Sequence, residues 1–394
     1  MVPYLRAANV KDGVLDLTDV KSMNFTPAEQ QLFSLRAGDV LVTEGSGSLR
    51  SVGASAVWQG EIDGVVCFQN TLLRMRPRAG TTDGRFLAWW TRSAFASGLF
   101  ASIATGANIY HISAERVRAL PIELPPLEEQ RRIADFLDAE TARIDELTRL
   151  QGLVMDKLDE RERAQLDSMI DDLVGQWGTV PLRRFLRGVD QGTSPQAEAS
   201  PADPHEWGVL KVSCLRPGRF FPGENKRLPL DLEPDVRHEV REGDLLITRA
   251  NTPQLVGSAA VVPRTRGKLL LSDKIFRVRL DQRVTAAFVA TVARGSRIRD
   301  LCAASSNGAS QSMANIRFDE VKAWPLPDAP LDAQHDLVRR VDRQRSVVDG
   351  LRSKIKQQAQ LLTERRQSLI TAAVTGQFDV TTASGRNVTE GVAV

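Results

Sequence analysis

The feature that most constrains this chain is that it contains itself twice. Leu35-Arg36-Ala37-Gly38-Asp39-Val40-Leu41-Val42-Thr43 matches Val240-Arg241-Glu242-Gly243-Asp244-Leu245-Leu246-Ile247-Thr248. Val52–Val57 matches Val256–Val261, Leu73–Arg76 matches Phe276–Arg279, and Leu127–Gln130 matches Leu331–Gln334. Ile144-Asp145 matches Val348-Asp349, and Glu160-Arg161 matches Glu364-Arg365. The order is kept throughout, and the shift stays between 203 and 205 residues. A repeat of this kind fixes architecture before any local reading does. The chain is two copies of one unit, each a globular part followed by a helix.

Each globular part reads as mixed α/β. A Gly-Asp turn leads into a short apolar run, Val40–Thr43 or Leu245–Thr248, that predicts a buried strand. Further strands are expected over Ala54–Trp58 and Ser258–Val262, and over Asn70–Arg76 and Lys274–Leu280. Helices are expected over Arg85–Leu99 and Ala286–Cys302, then Gly-containing loops at Gly106-Ala107-Asn108 and Gly308-Ala309-Ser310-Gln311. A Pro-rich hinge, Pro121–Pro126 or Pro325–Pro330, stops each part.

Two long helices follow. From Leu127 to about Asp172 there is no Pro and a single Gly, and a second such stretch runs from Leu331 to about Thr375. About 45 residues at 1.5 Å each span roughly 68 Å, too long for a helix within one small domain. A 3,4 spacing aligns Ile133, Leu137, Ile144, Leu147, Val154 and Leu158 in the first helix. Leu337, Val341, Val348, Leu351, Ile355 and Leu362 answer them in the second. Gln130, Gln151, Gln344 and Gln358 read as polar positions in a coiled-coil seam. Residues 127–175 carry 14 acidic and 7 basic side chains, whereas 331–375 carry 9 basic and 5 acidic. Opposite charge favours pairing of the two helices with each other. The alternative is that each helix packs on its own globular part.

Composition narrows the class. The chain has 394 residues, 42% hydrophobic and 26% charged, an ordinary globular balance for two or three domains. It offers no apolar run of about 18 residues for a membrane span, and no basic-then-apolar start of a secretory signal. Cys67, Cys214 and Cys302 lie too far apart in sequence for a disulfide framework or paired zinc site, and suit a reducing cytoplasm. The net charge of +3 conceals a second globular part, residues 176–326, with 23 basic and 16 acidic side chains. That is a mild electrostatic footprint for nucleic acid, or a solvated surface.

Two basic modules held a fixed distance apart suit a bipartite DNA site, because two readers at fixed separation select two half-sites at fixed spacing. Lys and Arg would position each module on phosphates. Base readout calls for Arg, Asn, Gln, Ser or Thr at groove edges. The first copy supplies Ser48, Arg50, Asn108, Tyr110 and His111; the second supplies Arg249, Asn251, Thr252, Gln254, Ser310 and Gln311. Arg74, Arg76, Lys274, Arg277 and Arg279 are further candidates, with the solvent face of a strand as the competing reading. No catalytic pattern appears: no phosphate-binding loop, dinucleotide fingerprint, nucleophile elbow or Cys/His zinc cluster. No Asn-Pro-Pro-aromatic or Asp-Pro-Pro-aromatic tetrad of an amino-methyltransferase is present either.

At Leu124-Pro125-Pro126-Leu127-Glu128-Glu129-Gln130-Arg131-Arg132-Ile133-Ala134 the sequence resembles the specificity subunits of type I restriction-modification systems. Tyr4–Val10, the Gly38-Asp39 strand entry and Leu369–Gly376 share that resemblance. It implies an α+β fold: two mixed α/β target recognition domains in pseudo-repeat, joined by two long antiparallel helices that form a coiled coil. Expected domains are a first recognition domain over 1–126, a helix over 127–175, a second recognition domain over 176–330, a helix over 331–376, and a flexible tail over 377–394. The resemblance also implies a cytoplasmic, non-catalytic subunit that reads a bipartite site in double-stranded DNA. It would dock two methyltransferase subunits and restriction subunits. S-adenosylmethionine, ATP and Mg would sit on those partners, and this chain would bind no cofactor or metal. Docking is expected at the helix entries, through Leu127, Gln130, Ile133 and Leu137 and through Leu331, Gln334, Leu337 and Val341.

One departure stands out. Trp177 to about Trp207 precedes the strand expected at Val209–Val212, but the first copy begins at its counterpart, with Tyr4. Either the start of the sequence is misassigned or the first module is truncated, and a missing strand would leave an open sheet edge there. A scaffold with a non-functional first module is therefore the alternative reading.

Overall fold

The computed structural model describes residues 1–196, 200–305 and 314–380, with Ser305 described by its backbone alone. The expected loop at Gly308–Gln311, including Ser310 and Gln311, and the tail beyond Val380 lie outside the described residues. The chain divides into two units, Met1–Leu153 with Ile355–Val394, and Val154–Lys354. Each contains one globular module and parts of both long helices.

In the first unit a three-stranded antiparallel sheet has the order Ser55–Trp58, Asp39–Thr43, Leu72–Met75. Strand periodicity sends alternate side chains of the central strand to opposite faces. Val40 and Val42 join a core made with the helix Gly84–Ala96 and the long helices. Leu41 joins a second core with Leu5, Val10, Trp58 and Leu72. A smaller sheet places Val2–Leu5 between Lys21–Met23 and Cys67–Phe68.

The second unit repeats this plan. Leu245–Thr248 lies between Ala259–Val261 and Ile275–Leu280, and Gly208–Leu210 lies between Asn225–Arg227 and Leu269–Leu270. Leu245 and Ile247 face one core and Leu246 the other. Its main sheet has a fourth strand, Leu186–Gln191, paired with Ile275–Leu280. The first unit has no counterpart of that strand among the described residues, so Leu72–Met75 is a sheet edge.

The Gly-Asp turns have a shared cause. Gly38 and Gly243 adopt φ +90° and +89°, a region open to glycine at little cost. The following carboxylates, Asp39 and Asp244, accept from the backbone N–H of Arg36 and Arg241 at 2.8 and 2.9 Å.

Several expectations are corrected. The expected helix Arg85–Leu99 is two, Gly84–Ala96 and Leu99–Ser102, broken at Gly98 with φ +79°. The expected helix Ala286–Cys302 is also two, Ala286–Val292 and Ser296–Ser305. At the intervening Gly295 the chain passes close to the long helix: a Cβ there would lie 2.7 Å from Ile170 Cδ1. Val212–Cys214 is a 3-10 turn, and the strand before it ends at Leu210. The second Pro-rich hinge is a strand, Pro325–Pro327, paired with Thr179–Pro181. Gln377–Val380 is not a loose start to a tail: Phe378 stacks on Phe136 with centroids 5.5 Å apart, and Val380 packs on the core.

The long helices are Leu127–Trp177 and Leu331–Val374. Glu128 and Glu129 in the first turn suit the positive end of the helix dipole. Gly178 at φ +70° and Gly376 at φ +68° end the two helices, the left-handed cap that glycine favours. The helices run antiparallel in each unit. In the first, Ile144 packs on Leu369 and Arg366 pairs with Asp145 at 2.8 Å. In the second, Gln344 donates to Gln165, and Arg352 pairs with Asp159 and, at 2.9 Å, with Glu162. The acidic and basic faces thus meet as their charges predict. The seam is nevertheless incomplete, because Leu147, Val154 and Leu351 remain exposed. Both packing readings hold in part: Ile133 and Leu137 bury against the first module, and Leu337 and Val341 against the second.

Candidate nucleic-acid interface

Each unit uses the same device, a two-residue bridge, at the base of its first loop. In the first, Gly45-Ser46 leaves the central strand and pairs with Tyr110-His111. The loop bearing Ser48 and Arg50 therefore lies beside the one bearing Asn108. In the second, Ala250-Asn251 pairs with Ala314-Asn315, so the loop with Thr252 and Gln254 lies beside the chain that follows residue 313. A threonine closes the first loop each time. Thr43 Oγ1 donates to the Ser51 carbonyl at 3.0 Å, and Thr248 Oγ1 to the Leu255 carbonyl at 3.1 Å. Gly53 and Gly257 donate back to the Thr43 and Thr248 carbonyls, each at 3.0 Å. Sequence reading found the loops but missed these locks, although the matched Thr43/Thr248 and Gly53/Gly257 were visible signals.

The candidate side chains separate into two groups. Ser48, Arg50, Asn108, His111, Thr252 and Gln254 are exposed, and Tyr110 is half-buried. Ser48 Oγ accepts from the Arg50 backbone N–H at 3.2 Å, which shapes the loop and leaves the Arg50 guanidinium outward. Lys274 pairs with Asp273 at 2.7 Å and half-buried Arg249 donates to the Asp273 carbonyl at 3.4 Å. Burial raises the Asp273 pKa, but hydrogen bonds from Lys274 and Ser194 and the charges of Lys274 and Arg249 outweigh it and hold the carboxyl below its usual range. In the first unit Glu44 lies at the loop base; burial pushes its carboxyl up, partly offset by the charge of His111.

The remaining candidates hold the fold. Arg76 makes two hydrogen bonds to buried Asp39, at 2.7 and 2.6 Å. Arg74 donates to the carbonyls of Leu32 and Ser34 and covers the Phe68 ring. Arg277 reaches Asp190 and Asp244 and the carbonyls of Glu239 and Arg237. Arg279 pairs with Asp190 at 2.9 Å. Asn251 is buried, its amide donating to the Val212 carbonyl and its oxygen accepting from Thr252. Arg74, Arg76, Arg277 and Asn251 thus have donors engaged inside the protein.

Most of the expected docking residues are engaged within the chain in a similar way. Gln130 and Gln334 are buried cross-braces between helix entry and module. Gln130 Nε2 donates to the Thr81 and Pro125 carbonyls, and its Oε1 accepts from Asp83 N–H. Gln334 repeats all three bonds with Arg283, Ala329 and Thr285. Ile133, Leu137, Leu337 and Val341 are buried in the modules' own cores, leaving Leu127 half-buried and Leu331 exposed. Among the described residues, no cluster of three His, Cys, Asp or Glu could hold a metal, and no helix is long and apolar enough to cross a membrane.

Comparison with known proteins agrees with this architecture. Residues 1–153 match the family model of the type I restriction modification DNA specificity domain. The specificity subunit of the type I restriction enzyme EcoKI, from Escherichia coli strain K12, is 24% identical over 96% of this chain and 82% of its own length. That of EcoEI, also from Escherichia coli, is 29% identical over 50% of this chain, and the chain spans only 34% of that relative. Among solved structures, a chain from a type I restriction-modification system superposes with a TM-score of 0.71 at 20% identity, covering 96% of this chain and 92% of that one. The HsdS subunit from Thermoanaerobacter tengcongensis superposes with a TM-score of 0.55 at 19% identity, covering 96% and 91%. The first 153 residues thus match the specificity-domain model, and 96% of the chain is similar, at 24% identity, to a specificity subunit of a type I restriction-modification system.

Proposed function

We propose that the chain reads a two-part target in double-stranded DNA, one part with each unit. As a specificity subunit it is non-catalytic. The observation that carries the two-part reading is the repeated loop base: each unit closes its first loop with the same Thr–Gly lock and ties the chain leading into it to another strand by a two-residue bridge. Phosphate contacts would supply affinity and salt dependence, and the loop side chains would supply selectivity. The exposed readers of this proposal are Ser48, Arg50, Asn108 and His111 in one unit and Thr252 and Gln254 in the other.

The reading extends to partners. Two methyltransferase subunits, and restriction subunits where present, would dock on this chain in the cytoplasm and bring S-adenosylmethionine, ATP and Mg. The buried helix entries do not serve that role. The exposed apolar side chains Leu147, Leu150 and Leu153 on the first long helix are the better candidates, because exposed apolar patches mark interaction surfaces.

A second reading has its own observation. The first unit lacks the fourth sheet strand among the described residues, which favours a scaffold whose first module does not read. Co-expression with a methyltransferase subunit, followed by genome-wide mapping of adenine methylation, separates the two. A motif of two specified parts with a fixed gap supports the first reading. A motif with one part, or a stable complex without methylation, supports the second.

A further inference from the structure

One position carries opposite charges in the two units, although its backbone is held in the same way. Glu44 and Arg249 each follow the threonine of the loop lock, at the shift of 205 that relates Leu35–Thr43 to Val240–Thr248. Glu44 N–H donates to the Thr71 carbonyl at 2.9 Å, and Arg249 N–H to the Lys274 carbonyl at 2.8 Å. Their own carbonyls accept from the N–H groups of Ile112 and Ile316, each at 2.9 Å. Both residues directly precede the bridge strands of their units, Gly45-Ser46 and Ala250-Asn251. Matched bonds on both sides of the chain give the two side chains a common point of departure at the loop base. What differs between the units is the side chain.

The surroundings follow the charge. Arg249 Nη1 donates to the Asp273 carbonyl at 3.4 Å, longer than a usual N–H···O bond, and the charge of Arg249 helps hold the Asp273 carboxyl low. At the shift of 203 that relates Leu73–Arg76 to Phe276–Arg279, Asp273 and Lys274 correspond to uncharged Asn70 and Thr71. Glu44 therefore has no such neighbours. Its carboxylate makes no hydrogen bond or ion pair among the described residues. The charge that acts on it is that of His111, whose ring lies against Gly45: a Cβ there would be 2.9 Å from the ring Cε1 and Nδ1. Glu44 is half-buried. A carboxylate partly withdrawn from water without a donor costs free energy, and it also repels the phosphates of approaching DNA. A hydrogen-bond donor on a base edge offsets both costs.

We propose that Glu44 and Arg249 are matched base-selecting positions, Glu44 taking a cytosine and Arg249 a guanine in the major groove. The inference rests on the two-part reading above. The assignment of bases follows from their edges. Cytosine presents the N4 amino donor, which a carboxylate accepts. Adenine presents its N6 donor beside the N7 acceptor, and that acceptor repels a carboxylate. Guanine and thymine offer acceptors at the same edge, so Glu44 rejects them. A guanidinium fork has the reverse preference and donates to guanine N7 and O6 together. One fold position thus selects different bases in the two units by a change of charge.

Mapping of adenine methylation for the full chain, co-expressed with a methyltransferase subunit, tests this. Glu44→Arg is expected to exchange a cytosine for a guanine at one position of one part of the motif, with the other part and the gap unchanged. Glu44→Ala, which removes no hydrogen bond of the described fold, is expected to loosen that same cytosine. Arg249→Gln is expected to loosen a guanine in the other part. A binding measurement on the purified complex isolates the amino group. Replacing the cytosine by 2-pyrimidinone, which lacks that group, should weaken binding of the unaltered chain about tenfold and leave binding of the Glu44→Ala chain unchanged. Equal loss for both chains overturns the proposal, as does exchange of an adenine or thymine at the Glu44 position. An unchanged motif in both Glu44 variants, with Arg50→Ala and Asn108→Ala still relaxing the first part, overturns it and leaves the two-part reading standing. If no first-unit substitution alters the motif, Arg50→Ala and Asn108→Ala included, the two-part reading falls and the proposal with it.

Discussion

Gln130 and Gln334 show how much one side chain can decide. Each satisfies three backbone groups at the junction of module and helix, two carbonyls and one N–H. Removing such a partner leaves buried polar groups unpaired, at about 1–3 kcal/mol each. Gln130→Ala and Gln334→Ala are therefore expected to cost several kcal/mol, and to raise hydrogen exchange at Asp83 and Thr285 respectively. Unchanged urea midpoints for both would remove the brace from this account. The loop locks make a second residue-scale case. A Cβ on Gly53 would lie 2.5 Å from Phe100 Cβ, and one on Gly257 would lie 2.4 Å from Cys302 Sγ. Both glycines also have positive φ, +85° and +70°. Backbone strain alone costs about 1–3 kcal/mol, so Gly53→Ala and Gly257→Ala should lower the thermal midpoint by several degrees. Ala at neighbouring Ser51, which is exposed, serves as the control.

At the scale of elements, the long helices are held by charge as well as by apolar packing. Arg352 meets Asp159 and Glu162 from the facing helix, with the arginine 21% and the glutamate 16% exposed. Coupling energies for contacting residues run to about 0.5–3 kcal/mol, and partial exposure places this network toward the lower end. Arg352→Ala and Glu162→Ala should each destabilise, and the double variant should lose less than their sum; full additivity in urea unfolding would deny the coupling. The exposed stripe makes a different prediction. Leu150→Asp with Leu153→Asp should leave the thermal midpoint within a degree or two, because neither side chain is buried, yet weaken co-purification with a methyltransferase subunit. Undiminished co-purification would move the docking surface elsewhere. Element existence was legible from the repeat and from periodicity, which located both long helices to within a few residues. Less legible were the things that tertiary approach decides. Gly295 leaves room for Ile170 between two short helices, and Pro325–Pro327 becomes a strand because Thr179–Pro181 lies beside it. The Gln residues, Arg74, Arg76 and Arg277 carry the right chemistry for docking or DNA, but only the fold shows that their donors are already engaged.

At the scale of the molecule, the repeated locked loop implies that selectivity is divisible. Each unit has its own first loop, closed by its own lock, and no side chain of the exposed candidate set is shared between the units. Lost base contacts cost about 1–3 kcal/mol per position and leave well-separated positions independent. Arg50→Ala with Asn108→Ala should therefore relax one part of the methylated motif, while the other part and the gap stay fixed. Thr252→Ala with Gln254→Ala should relax the opposite part. Two controls bear on the reason. Arg277→Ala removes bonds to Asp190 and to two backbone carbonyls, so it should destabilise the second module as a whole rather than broaden one position of its motif. Raising salt should weaken every variant along the same slope, since that slope counts phosphate contacts and not bases. If first-unit substitutions leave the motif untouched while second-unit ones broaden it, the first module does not read, and the open edge at Leu72–Met75 becomes the physical reason. If each pair relaxes its own part, the repeat is functional as well as structural, and duplication of one module explains how a single chain specifies two separated stretches of DNA.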